Sequence, residues 1–321
     1  MPSTPTTTSE NLQKSGPLVV IHVDDVGMCH GANTAFMELS ARGAVSAGSV
    51  MVPCPWSSGI LETAAEEPTL DLGVHLTLNA EHRHYRWGPT GTHSRAAGLV
   101  DDDGYLWRSV AEVRAHAHPD AVEAEWRAQI DRALATGADI THLDTHMGSA
   151  LAPEWCDRYV GLGTEYGLPV LITATLDGYG PHRHLGDVDP DRFGDFVAAA
   201  RAGGHPVCTR VLETEFARPA DTPADYRHQF VAGTTGLGDD DLVFAAMHPC
   251  RPGPGEIEAI DPERHHVRTD EYRAFSDPGW TAWLAEQQAQ GSFQVTTMRA
   301  LRAEMHGGTN VENNAAPQRM G

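Results

Sequence analysis

Short apolar runs alternate with longer amphipathic segments along most of the chain. The runs at 18–23, 45–52, 71–78, 140–144, 170–173, 206–210, 242–247 and 293–297 have the length of strands. Helical periods at 31–42, 57–66, 121–136, 154–166, 190–202 and 270–290 fall between them. This alternation predicts βαβ units and a parallel sheet. Eight strand candidates predict an α/β fold, a distorted TIM-like (β/α) barrel of seven or eight strands, as a single domain over 16–306. An open doubly wound sheet is the alternative. No G-x-G-x-x-G follows the first run, so a dinucleotide site has no support.

Two connections are long. Residues 79–119 show little periodicity and carry Tyr85, Trp87 and Trp107; residues 248–268 are rich in Pro, Gly and charge. Both follow candidate strands, which in a barrel puts them on the C-terminal rim, where active sites lie. Residues 1–15 are rich in Thr, Ser and Pro and lack the basic region and apolar core of a signal peptide. They are expected to form a disordered leader, and 307–321 a disordered tail.

Charge narrows the partners. Forty-four acidic residues against 23 basic give a net charge of −21, which counts against a nucleic-acid partner. No apolar run is long enough to span a membrane. The five cysteines are scattered without a Cys-x-x-Cys spacing, against a thiolate metal site or a disulfide framework. A cytoplasmic location is expected.

The candidate chemistry sits at strand ends. The run Leu18-Val-Val-Ile-His-Val-Asp-Asp-Val-Gly27 climbs through apolar residues and ends on Asp24 and Asp25. Buried carboxylates are costly unless they are paired or hold a metal. In 71–78, alternation sends Leu72, Val74, Leu76 and Leu78 to one face and Gly73, His75 and Thr77 to the other. In 142–146 it puts His142, Asp144 and His146 together. His248 follows the run 242–247. Taken singly, each has an ordinary structural reading: a solvated turn, a satisfied interior histidine, a strand exit at a proline. Their shared position is what points to a site, because parallel strands bring their C-termini together. One carboxylate and two imidazoles suit Zn²⁺, and also Mg²⁺, Mn²⁺ or Co²⁺. One aspartate would then bind the metal and the other would take a proton from water, with a histidine to protonate a leaving amine. Such parts serve amide or ester hydrolysis.

These residues carry a family likeness. The stretches Val20-Ile-His-Val-Asp-Asp-Val-Gly27 with Asn33, Gly43-Ala-Val-Ser46, Ser49-Val-Met51, Gly73-Val-His-Leu-Thr-Leu78, Val100-Asp-Asp-Asp-Gly-Tyr105, His142-Leu-Asp-Thr-His146 and Met247-His-Pro249 resemble the YdjC-like carbohydrate deacetylases, relatives of the polysaccharide deacetylases. The resemblance runs from about residue 18 to residue 305. It implies a distorted (β/α) barrel that removes an N-acetyl group from a sugar or a chitooligosaccharide-like oligosaccharide. It also implies a divalent metal, Mg²⁺ or Zn²⁺, held by Asp25, His75 and His146, with Asp24 as catalytic base. His248 would be a general acid or a substrate contact. His22, His142, Asp144, Tyr85, Trp87 and Trp107 would support the site or touch the sugar. A homodimer is implied as well. Many relatives continue the third motif as D-S-H-x-H-x-H, whereas Gly148 and Ala150 here offer no imidazole. Two other readings share the parts: hydrolysis of a different bond, such as a phosphoester or non-sugar amide, and sugar binding without turnover.

Overall fold

The computed structural model describes residues 16–180 and 184–312. Seven strands form one parallel sheet: β1 (Leu18–Val26), β2 (Ala47–Val50), β3 (Leu72–Leu76), β4 (Ile140–Thr145), β5 (Arg210–Glu213), β6 (Leu242–Met247) and β7 (Gln294–Thr296). Their order is β4-β3-β2-β1-β6-β5, with β7 along the first half of β1. The two edges meet through residues 170–173, which bridge to β4 at Leu143↔Val170 and to the approach of β5 at Thr173↔Cys208. The sheet thus curls into a distorted (β/α) barrel. Its fifth position is a pair of single bridges and not the strand expected at 170–173. The strand expected at 206–210 begins only at Arg210.

The helices around it are α1 (His30–Ala41), α2 (Ser57–Glu66), α3 (Val110–His116), α4 (Pro119–Leu134), α5 (Cys156–Tyr166), α6 (Pro190–Ala202), α7 (Tyr226–Thr234), α8 (Glu256–Ile260), α9 (His265–Ser276), α10 (Pro278–Ala289) and α11 (Met298–Glu312). The single helix expected over 270–290 is two helices, α9 and α10. Pro278 cannot continue α9 without a clash and a lost hydrogen bond, and Asp277 instead caps α10 by accepting from Gly279 N. The rim segment 79–119 is more ordered than its weak periodicity suggests. It holds a 3-10 turn at Arg95–Ala97 and α3, whose Ser109 and Glu112 form a reciprocal capping box. Helix α11 runs through the first residues of the segment expected to be a tail. Residues 313–321 of that segment, and 1–15 of the expected leader, lie outside the described residues. Among the described residues no helix is long and apolar enough to cross a membrane, and all five cysteines are free and buried.

Strand alternation splits the core into two. Val19, Ile21 and Val23 of β1 and Leu72, Val74 and Leu76 of β3 face the helices. Val20, Leu242 and Phe244 fill the barrel interior and are closed off below by Met298 and Leu301 of α11. Fully burying a side chain of this size contributes about 1.5–3 kcal/mol each. The inward face of β1 continues upward from Val20 to His22 and then Asp24, so the interior turns from apolar to polar toward the C-terminal rim. The His22 ring lies 4.5 Å from that of Phe244, at the boundary.

Candidate active site at the C-terminal rim

Alternation alone would send Asp24 and Asp25 to opposite faces. A bulge prevents this: between Val23↔Gly48 and Val26↔Val50, β1 carries one residue more than β2. Asp25 takes up the extra length in the left-handed conformation, at φ 60°. A non-glycine residue there is sparsely populated and costs of order 1 kcal/mol or more. Bulges of this kind re-aim side chains beside active sites, and this one turns both carboxylates into the mouth of the barrel.

Asp25 is the centre of the cluster. Its Oδ1 stands 3.4 Å from His75 Nε2 and 3.2 Å from His146 Nδ1, yet accepts no hydrogen bond from either. Its Oδ2 takes an ion pair at 2.8 Å from the buried Arg268. Each imidazole is held from behind. His75 Nδ1 meets Asp144 Oδ1 at 2.9 Å, and Ser49 Oγ donates to Asp144 Oδ2 at 2.8 Å. His75 and Asp144 are register partners on β3 and β4, which sets their side chains side by side. His146 Nε2 meets Glu81 Oε2 at 2.9 Å.

This arrangement fits a divalent cation. Two imidazole nitrogens and an unpartnered buried carboxylate oxygen converge on one point instead of bonding to one another. Their spacing is what ligand distances of about 2.0–2.2 Å produce around a shared ion. The carboxylates behind the imidazoles are the partners that metal-bound histidines use for orientation. The electrostatics agree. Burial pushes the Asp25 carboxyl up, but Arg268 and the two imidazoles hold it well below the ordinary range. Burial opposes charge on His146, yet Glu81 and Asp25 push it up to about 9. His75, desolvated but set against Asp144 and Asp25, is also raised well above its ordinary value. Three carboxylates around two imidazoles demand positive charge, and protons supply it when no cation does.

Asp24 lies beside this cluster. Its Oδ1 meets His22 Nδ1 at 2.6 Å, and its Oδ2 faces His248 Nε2 at 3.8 Å. His248 is oriented by its backbone N–H, which donates to Glu271, and by edge-on packing against Phe216. Burial pulls its imidazole down to about 4, and its Nδ1 is buried without a partner. His22 Nε2 in turn meets His142 Nε2 at 2.9 Å.

Above these groups opens a cavity of ≈ 630 Å³, lined among others by Asp24, Asp25, His75, Glu81, His146 and His248. Tyr179 and Glu213 form part of its far wall. A side chain at Gly148 would point into Tyr179: a Cβ there would come 3.1 Å from the phenol oxygen, on a backbone with φ +66°. The space beside Gly148 is thus closed by Tyr179.

The structure brings together Asp24, Asp25, His22, His75, His142, Asp144, His146 and His248. It does not bring Tyr85, Trp87 and Trp107 to the cavity wall. Tyr85 donates to Met28 O, Trp87 is buried against Tyr85 and His146, and Trp107 donates to Gly98 O while stacking on His116. In so long a segment the rings pack on one another and on the core, because exposed aromatic area is costly. Glu81, Arg268, Ser49 and Glu271 were not expected from the sequence. Glu81 follows β3 by only a few residues, so its rim position was a readable signal; Arg268 sits inside α9 with no pattern to mark it.

Fold and site together define a (β/α)-barrel protein with a carboxylate–imidazole centre on its C-terminal rim. The chain belongs to the YdjC-like protein family, whose model matches residues 18–286. A carbohydrate deacetylase of Thermus thermophilus is 35% identical over 285 residues, covering 89% of this chain and 94% of that protein. A carbohydrate deacetylase of Thermoanaerobacter pseudethanolicus is 28% identical over 155 residues, 48% of this chain and 60% of that protein. Among solved structures, an Enterococcus faecalis protein assigned to cellobiose-phosphate cleavage aligns with a TM-score of 0.67 at 18% identity. It covers 89% of this chain and 99% of its own, a likeness of fold alone.

Proposed function

We propose that this protein is a metal-dependent deacetylase that hydrolyses the N-acetyl group of an acetylated sugar or short oligosaccharide. The observation that carries the reading is the Asp25–His75–His146 cluster, with Asp24 beside it and a cavity above, in a chain similar over most of its length to a carbohydrate deacetylase. Asp25, His75 and His146 would hold a divalent cation, Mg²⁺ or Zn²⁺, whose chemistry is to polarise a carbonyl and acidify a water molecule.

The chain's own groups do the rest. Asp24 Oδ2, turned toward the cavity, accepts the proton of the attacking water. The water oxygen bonds to the acetyl carbon, the C–N bond breaks, and the proton passes to the departing nitrogen, leaving acetate and a free amino sugar. His248, neutral at neutral pH, acts as a hydrogen-bonding contact for the substrate.

The test is acetate release from a panel of N-acetylated sugars and oligosaccharides, with Mg²⁺ or Zn²⁺ added and again after chelation. Metal-dependent acetate release is expected. Phosphate release from sugar phosphates with no acetate from any member of the panel would overturn the reading.

A further inference from the structure

A line of buried polar side chains leaves Asp24 and crosses the barrel to its opposite end. Asp24 Oδ1 meets His22 Nδ1 at 2.6 Å, and His22 Nε2 meets His142 Nε2 at 2.9 Å. His142 Nδ1 meets Thr141 Oγ1 at 2.9 Å, and Thr141 Oγ1 donates to Asp71 Oδ1 at 2.5 Å. Asp71 lies just before β3, and its other oxygen accepts from Arg299 N at 2.7 Å in the first turn of α11. His22, Thr141 and His142 are fully buried, so these direct links are shielded from bulk solvent.

Two features make room for this line. Adjacent residues on a strand face opposite ways, yet Thr141 and His142 touch each other. Between Leu72↔Ile140 and Val74↔Leu143, β4 carries one residue more than β3, and this bulge brings both side chains to the same side. Beside them, Gly73 leaves the space that the His142 ring fills: a Cβ at Gly73 would lie 2.5 Å from that ring. A bulge in one strand and a missing side chain in its neighbour both serve to seat one imidazole.

The line has a direction. The Thr141 hydroxyl has one proton and gives it to Asp71, so it must accept from His142 Nδ1–H. Burial and His22 hold His142 down to about 3, so it is neutral and its Nε2 is an acceptor. His22 Nε2 must then carry a proton and donate it to His142, and His22 Nδ1, 2.6 Å from the Asp24 carboxylate, must carry a second proton and donate it to Oδ1. The orientation chosen at Asp71 is thereby transmitted, link by link, to the ring that grips Asp24.

We propose that Asp71, Thr141, His142 and His22 form a buried relay that positions Asp24, fixing Oδ1 in the relay so that Oδ2 is the oxygen presented to the cavity. In this relay Asp71 and Thr141 are positioning residues, remote from any substrate. The role rests on the reading of Asp24 as the base of a deacetylase, while the relay itself is read out without activity.

Thr141→Val removes the hydroxyl at nearly constant shape, and Thr141→Ser keeps it. Ring-nitrogen NMR of ¹⁵N-histidine-labelled, metal-loaded protein should show His142 protonated on Nδ1 in the wild type and in T141S, and that state lost in T141V. With an N-acetyl sugar as substrate, T141V should lower kcat by about ten- to a hundredfold at unchanged KM and metal content, since proton transfer supplies roughly 10²–10⁴-fold. T141S should return kcat to within about twofold of wild type. A His142 protonated on Nε2 in the wild type, or a T141V that loses the Nδ1 signal yet keeps full kcat, would overturn the relay. Absence of acetate release from the wild type, with the NMR pattern as expected, would instead remove the deacetylase reading and with it the role given to Asp24.

Discussion

Glu81 holds His146 by its Nε2 at 2.9 Å and so turns the Nδ1 of that ring toward Asp25. The geometry mirrors the hold of Asp144 on His75, with the two ring nitrogens exchanged. Groups that orient a metal-bound histidine typically contribute 10–100-fold in affinity. Glu81→Ala is therefore expected to weaken Zn²⁺ binding by about that factor, measured by calorimetric titration of chelator-treated protein. Unchanged affinity would mean that His146 is not a ligand.

On the proposed reading, Asp24 separates binding from turnover. It stands outside the group of Asp25, His75 and His146, though it also comes near His75 and Asp144, and its Oδ2 faces His248 in the cavity wall. Asp24→Asn keeps the shape and removes the proton acceptor. We expect kcat for acetate release to fall by roughly 10²–10⁴-fold with metal content unchanged by elemental analysis. Full activity with metal still bound would remove Asp24 from the mechanism.

Protonation couples metal and stability with opposite signs. His146 is raised from 6.5 to about 9 by Glu81 and Asp25 against its burial. A raised folded-state value stabilises the metal-free protein fully below pH 6.5, and that contribution is lost as pH climbs through about 9. A cation must displace the same proton, so its affinity should rise across that window, by about tenfold per pH unit for each proton displaced. Thermal unfolding of the metal-free protein should therefore show Tm falling from pH 6.5 to 9 while calorimetry shows Zn²⁺ binding more tightly. A metal-free Tm that rises over that range would contradict the charge assignment of the cluster.

The sequence made the strand-end residues legible for a topological reason. Parallel strands converge at their C-termini, so Asp24, Asp25, His75, His146 and His248 could be grouped without knowing any contact. What escaped lay outside the strand ends that topology gathers. Arg268 reaches the site from α9, and Ser49 reaches Asp144 from β2, past the intervening β3. The aromatic residues of 79–119 stand outside the cavity lining because ring chemistry says nothing of which way a long segment folds; Trp87 packs beside His146, and Trp107 stacks on His116. Helix α3 was missed although Ser109 and Glu112 spell a capping box, since seven residues are too few for a helical period to stand out. The break at Pro278 was likewise written in the chain but overridden by an apolar pattern that runs on either side of it.

Gly73 tests the seating of the relay independently of any reaction. In β3 it faces inward between register neighbours, and a Cβ would meet the His142 ring at 2.5–2.6 Å on three of its atoms. That ring cannot swing aside, because His22 and Thr141 hold both of its nitrogens. Gly73→Ala must therefore either push β3 from β4 or break one of those links. Overpacking of this kind costs about 1–3 kcal/mol, on top of which the lost hydrogen bond leaves a buried nitrogen unsatisfied. We expect a lower denaturation midpoint in urea, and a wild-type midpoint with G73A would show that His142 has room the structure does not give it. Pairing G73A with His142→Ala, which empties the space, should recover part of the loss. The two changes would then be non-additive, as residues in direct contact are.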